Sequence, residues 1–147
     1  MNTDQYLQRV LHLIEKYGWA VQGVLADARR PSFAYTVGLM PTIGSEVMVV
    51  GLDGDVAKQL LNNLAGRLLA GEVELVHGAQ VEGIVRNYPV TLIEVSDRGE
   101  YFTGVADQLM NHGQQQVPLF QMVWPLADGS WPWQRSSGQD VLGPAPV

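Results

Sequence analysis

Four residues, Val47-Met48-Val49-Val50, restrict the possible folds of this chain more than any others. A run so short, apolar at every position and mostly β-branched, suits a central strand covered on both faces. A second stretch, Phe33-Ala34-Tyr35-Thr36-Val37-Gly38-Leu39, also reads as a strand, with Phe33, Tyr35 and Val37 on one face. It ends at Gly38, where the chain can turn or let another group approach closely.

Helices flank these strands in the sequence pattern. Leu7, Val10, Leu11 and Ile14 predict an amphipathic helix over Asp4 to Tyr17, opened by an Asn2/Gln5 capping box and closed by a left-handed Gly18. Trp19 to Leu25 reads as the first strand, joined to the Phe33 strand by the polar segment Ala26 to Ser32. Asp53 or Asp55 caps a second helix, whose stripe is Val56, Leu60, Leu64 and Leu68, thickened by Ala57, Leu61, Ala65 and Leu69. The period then shifts to two, predicting strands over Glu72–His77, Val81–Val85 and Val90–Val95. Asp97 and Glu100 suggest a capping box for a third helix with Phe102, Val105, Ala106, Leu109 and Met110 on its apolar face. Pro118 to Val123 is the last strand, entering a Trp-Pro-rich edge or wrapped loop. The order predicts an α+β fold: a mainly antiparallel, curved or barrel-like sheet with about three flanking helices. Residues 1–135 form one domain in this reading, and 136–147 a flexible tail.

Composition removes several function classes. The 147 residues contain no cysteine, which excludes disulfides, cysteine-ligated metals and cysteine nucleophiles. A net charge of −6 argues against general nucleic-acid binding, which needs a basic surface, and is compatible with a basic protein partner. No secretory signal and no apolar run long enough to span a membrane is visible, so a cytoplasmic location is expected. P-loop, GxGxxG, HExxH and GxSxG patterns are absent. Asp53 and Asp55 lack the ligand spacing of a calcium loop, so no metal is expected. The sequence specifies no cofactor and no oligomeric state.

The candidate binding residues are Arg29, Tyr35, Thr36, Gly38, Trp124, Trp131 and Trp133. Arg29 and Arg30 are the one adjacent basic pair, and a guanidinium offers paired donors to a phosphate or carboxylate. Three of the four tryptophans lie between Trp124 and Trp133, where they either close the core or wall a binding site. His77, beside Gly78 at a strand end, is the candidate acid–base residue.

Tyr17-Gly18-Trp19, then Phe33 to Leu39, and later Gln121-Met122-Val123-Trp124-Pro125 through Gly129-Ser130-Trp131-Pro132-Trp133, together resemble a widespread bacterial family of small proteins known as a domain of unknown function. The resemblance spans roughly residues 10 to 135, nearly the whole domain. Where the family pattern carries an acidic residue after the Trp-Pro step, this chain has Leu126. The resemblance implies a shared fold and groove, and no particular activity. The residues favour a non-enzymatic binding protein with an aromatic-walled pocket or patch for a small anionic ligand or a protein partner. The alternative is a small enzyme acting on a phosphorylated or nucleotide-like molecule, with His77 as acid–base residue and Tyr35 or Arg29 assisting. A flavin- or nucleotide-binding barrel is a variant of it, by fold analogy.

Overall fold

Val47 to Val50 lie in the third strand of a six-stranded sheet, every side chain buried. The computed structural model describes residues 2–135 and 137–146; Met1, Ser136 and Val147 lie outside them. In chain order the elements are α1 (Thr3–Tyr17), β1 (Ala20–Val24), β2 (Phe33–Val37), α2 (Met40–Ile43), β3 (Glu46–Val50), α3 (Gly54–Leu69), β4 (Gln80–Val81), β5 (Val90–Glu94), α4 (Gly104–Asn111) and β6 (Leu119–Val123). Strand order across the sheet is β1-β2-β3-β6-β5-β4. Four of its five pairings are antiparallel, and β3–β6 is parallel.

The α+β class and the antiparallel bias are as expected, but a barrel-like closure is not: β1 and β4 are the two edges of an open sheet. A strand pattern gives each strand's own residues, whereas closure depends on which strands become neighbours, and that is tertiary. The parallel β3–β6 contact encloses α3, β4, β5 and α4 in its connection, a long crossover with no local signature.

Both faces of the sheet are covered. Ala34, Val47, Val49, Leu92 and Met122 meet Ala57, Leu61, Leu64, Ala65 and Leu68 of α3. On the other face Phe33, Tyr35, Met48, Val50 and Leu119 meet Val10 of α1 and Ala106 of α4. At about 2 kcal/mol per buried leucine, the three leucines on the inner face of α3 make it a principal support of the sheet. Its apolar stripe is turned from the expected one, and Val56 is 43% exposed. Residues spaced by four drift about 40° per step around a helix, so Val56 stands roughly 120° from Leu68. The 57-61-64-65-68 set stays on one face.

Local signals at the first helix hold: Asn2 and Gln5 form the capping box, and Gly18 is its left-handed cap at φ 98°. The region after α3 departs from expectation. Residues 72–79 form bends, irregular backbone and a turn instead of a strand, and β4 is two residues long. The last helix starts at Gly104, so Phe102 lies outside it and is 61% exposed. Asp97 instead closes a turn by accepting from Gly99 N. Alternation alone does not make a strand where Gly78 and Gly83 take left-handed conformations.

Residues 137–146, expected as a tail beyond the domain, run back over the sheet. Two buried glutamines hold them. The Gln121 amide donates to Asp140 O (2.6 Å) and accepts from Leu142 N (2.8 Å). Reciprocally, the Gln139 amide accepts from Trp124 N (3.1 Å) and donates to Trp124 O (2.9 Å). Ser96 N and Asp97 N donate to Leu142 O, so the segment lies along the chain leaving β5. No helix among the described residues is long and apolar enough to cross a membrane.

Candidate functional site

Tyr35, Thr36 and Gly38 lie within the β2–β3 hairpin, and each has an internal partner. The Tyr35 ring is buried beneath α4, and its hydroxyl oxygen accepts from Val105 N at 3.2 Å. Burial pushes the phenol up from its ordinary 10 to about 12. The native state therefore holds this proton more tightly than the unfolded chain. Its stabilising contribution is complete below pH 10 and is lost as pH rises towards 12, by up to about 1.4 kcal/mol per pH unit. Urea midpoints measured across that window are expected to fall more steeply for wild type than for Tyr35→Phe; parallel slopes would show that the phenol carries no such linkage.

Thr36 donates its hydroxyl proton to Glu46 Oε1 (2.8 Å) and accepts from Val47 N (2.9 Å). Glu46 is fully buried, and its carboxylate also accepts from Gly38 N, Leu39 N and Met40 N, each at 3.0 Å. Burial pushes the carboxyl up from its ordinary range, while these donors pull it back. Sequence reasoning passed over Glu46, which lies just before the Val47–Val50 run. The available signal was an acid directly before a wholly buried strand, ten residues after a threonine in the neighbouring strand.

The tryptophans divide. Trp124 donates its indole N–H to Val50 O at 2.8 Å and packs on the α3 side of the core. Trp131 and Trp133 stack with centroids 5.3 Å apart, half-buried in a loop that the Asp128–Arg135 pair (2.6 Å) ties together. Arg29 is exposed on the β1–β2 loop, 3.5 Å from Glu100. Its neighbour Arg30 donates to Leu25 O and Glu100 O and lies over the Phe33 ring. Both border an open cleft of about 470 Å³, where Arg29, Arg30 and Arg98 are matched by Asp97, Glu100 and Asp140. That balance leaves the cleft without an excess of positive charge.

His77 lies at the other side of the molecule, beside β4. Its Nδ1 accepts from Glu94 N at 3.0 Å, extending the edge pairing of β5. With β3, β6 and β5 between β2 and β4, His77 is roughly 15–20 Å from Tyr35. The structure thus gathers none of Arg29, Tyr35 and His77 around one cavity. Among the described residues, no group of three or more His, Asp or Glu is placed to hold a metal.

A different cleft has the character of a binding site. It measures about 580 Å³ and lies beside the outer edge of β1, between α1 and α3, walled by Leu13, Tyr17, Trp19, Ala20 and Val21. Lys58 and Asn62, one turn apart on α3, supply its polar side. Asn62 Oδ1 accepts the Trp19 indole proton at 2.9 Å, fixing the ring and leaving the amide N–H groups for another acceptor. Tyr17 is 59% exposed, and Lys58 is in no ion pair among the described residues. Gly38 permits this wall: at φ 119° it bears no β-carbon where one would lie 3.1 Å from Gly18 O and 3.2 Å from Trp19 Cα.

The model of a family described as a domain of unknown function, DUF4262, matches residues 13–137. The chain belongs to the DUF4262 family. The matched span begins at Leu13, the first residue of the cleft wall, and takes in all of the cleft, Glu46 and its donors, and the tryptophan loop. No curated protein and no solved structure matches the chain. In this DUF4262 chain the residues quoted for the resemblance have different surroundings: Tyr17 and Trp19 face the cleft, whereas Phe33 to Leu39 serve the fold beneath it.

Proposed function

We propose that this DUF4262 chain is a non-enzymatic binding protein whose site is the cleft beside β1, and that its ligand is a small apolar molecule carrying one carboxylate. The carrying observation is Lys58: an ammonium free of ion pairs among the described residues, on the rim of a cleft walled by two aromatic rings. Its volume falls in the ordinary range for small-molecule sites, roughly 300–1,000 Å³. Apolar burial against Leu13, Trp19 and Val21 supplies affinity, and the lysine with the Asn62 amide orients the acid.

The test is calorimetric titration with indole-3-acetate, benzoate and octanoate, followed in parallel by tryptophan fluorescence. Saturable binding is expected for at least one. Lys58→Ala should weaken it about tenfold, a charge-assisted bond at a partly solvated rim, and the matching neutral amide should be insensitive to that variant. Trp19→Phe should abolish the fluorescence change, and His77→Ala should leave binding unchanged. No saturation by any of the three, or equal affinity in Lys58→Ala, would overturn the proposal.

A further inference from the structure

β1 is an edge strand of five residues, Ala20-Val21-Gln22-Gly23-Val24, with no charge, no proline and no backbone partner other than β2 among the described residues. Protein sheets commonly blunt their edges with lysine, proline, bulges or very short strands. The opposite edge follows that rule, because β4 is two residues long. On β1 the one group answering the outer backbone is the Gln22 amide, at Gly23 O, 3.4 Å away.

Gly23 adds a second observation. Its φ is not in the left-handed region, and a β-carbon built on it would meet nothing within 4 Å. Neither conformation nor packing inside the chain calls for glycine there. A bare position in mid-strand is where another backbone comes close. Just beyond it Leu25 is 88% exposed, the largest exposure among the large apolar residues described.

We infer that two copies of the chain pair through the outer edges of β1, antiparallel about a two-fold axis at Gln22, so that Leu25 of each copy closes the mouth of the other's cleft. In that register Gln22 faces its own counterpart, Gly23 faces Val21, Val24 faces Ala20, and Leu25 faces Trp19. Directly opposed residues share a face with β-carbons about 4.5–5.5 Å apart, which brings Leu25 of the second copy onto the indole that walls the cleft. The most exposed large apolar side chain among the described residues and the cleft are thus complementary parts of one self-matching surface, as a two-fold interface requires. The paired strands carry no charge, so the net −6 of each copy acts at distances that salt screens. The lid over the cleft rests on that cleft being the binding site; the strand pairing does not.

The cysteine-free chain makes the test direct. Sedimentation of the full-length protein from micromolar to millimolar concentration should show a monomer–dimer equilibrium. Leu25→Asp and Gly23→Lys, both at exposed positions, should each raise the dimer dissociation constant at least tenfold while the circular dichroism spectrum is unchanged. Under mild oxidation Gln22→Cys should cross-link to a covalent dimer and Val24→Cys should not. A protein monomeric throughout with no cross-link at position 22, or a dimer indifferent to Leu25→Asp and Gly23→Lys, would overturn the inference. A Lys58-dependent carboxylate site on a strictly monomeric protein would overturn the pairing and leave the binding reading intact. A dimer with this cross-linking pattern but no carboxylate binding would sustain the pairing and remove the ligand.

Discussion

Replacing Glu46 with alanine is expected to remove about 4 kcal/mol or more of folding stability. Four donors converge on this carboxylate: the Thr36 hydroxyl and the backbone N–H groups of Gly38, Leu39 and Met40. Truncation orphans all of them, at about 1–3 kcal/mol for each that water cannot reach. Thr36 and Leu39 are fully buried, while half-buried Gly38 and Met40 regain some solvent. Since domains of this size are stable by only about 5–15 kcal/mol, the variant should be partly unfolded at 37 °C. Glu46→Gln keeps the shape and one acceptor oxygen but points an amide N–H at donors, so roughly half the loss is expected. Urea denaturation followed by circular dichroism checks both variants. A loss below about 1 kcal/mol for Glu46→Ala would show that the hairpin does not depend on this carboxylate.

Gly38→Ala should be nearly as damaging, by about 2–4 kcal/mol, for two independent reasons. At φ 119° an L side chain is strained. The added β-carbon would also lie 3.1 Å from Gly18 O and 3.2 Å from Trp19 Cα, both backbone atoms that cannot rotate away. Relief requires moving the α1–β1 turn, which carries Tyr17 and Trp19, so ligand binding in the cleft should weaken along with stability. Gly23→Ala is the control. With ordinary φ and open space around its β-carbon within one copy, it should be neutral or stabilising by about 0.4–1 kcal/mol through the unfolded chain, measured where the protein is monomeric. Thermal melts of the two variants side by side separate the cases; equal effects would mean that neither strain nor contact at Gly38 matters.

These expectations change the meaning of the Phe33–Leu39 stretch. As a sequence, Tyr35 and Thr36 beside a glycine look like a pocket. In the fold the hydroxyl of Tyr35 meets the start of α4, Thr36 meets Glu46, and Gly38 admits the neighbouring turn. The aromatic pocket wall comes instead from Tyr17 and Trp19, residues read as a helix end, a strand start and part of the family pattern, and not as binding residues. The tryptophan loop shows the same split: a core role for Trp124, whose indole is bonded to Val50 O, and a mutual stack for Trp131 and Trp133.

The sequence by itself determined what short-range chemistry determines. It located α1 with its cap and stop, the β1 and β2 strands, the doubly covered β3, the existence of α3, and the α+β class, since periodicity and capping act over only a few residues. The tertiary structure alone decided the strand order, the parallel β3–β6 contact, the return of residues 137–146 over the sheet, and the pairing of Thr36 with Glu46. It also decided the cleft, whose walls come from α1, β1 and α3 and whose lysine is some forty residues from its tryptophan. Such contacts depend on which elements pack together, and that choice is made by burial over the whole chain.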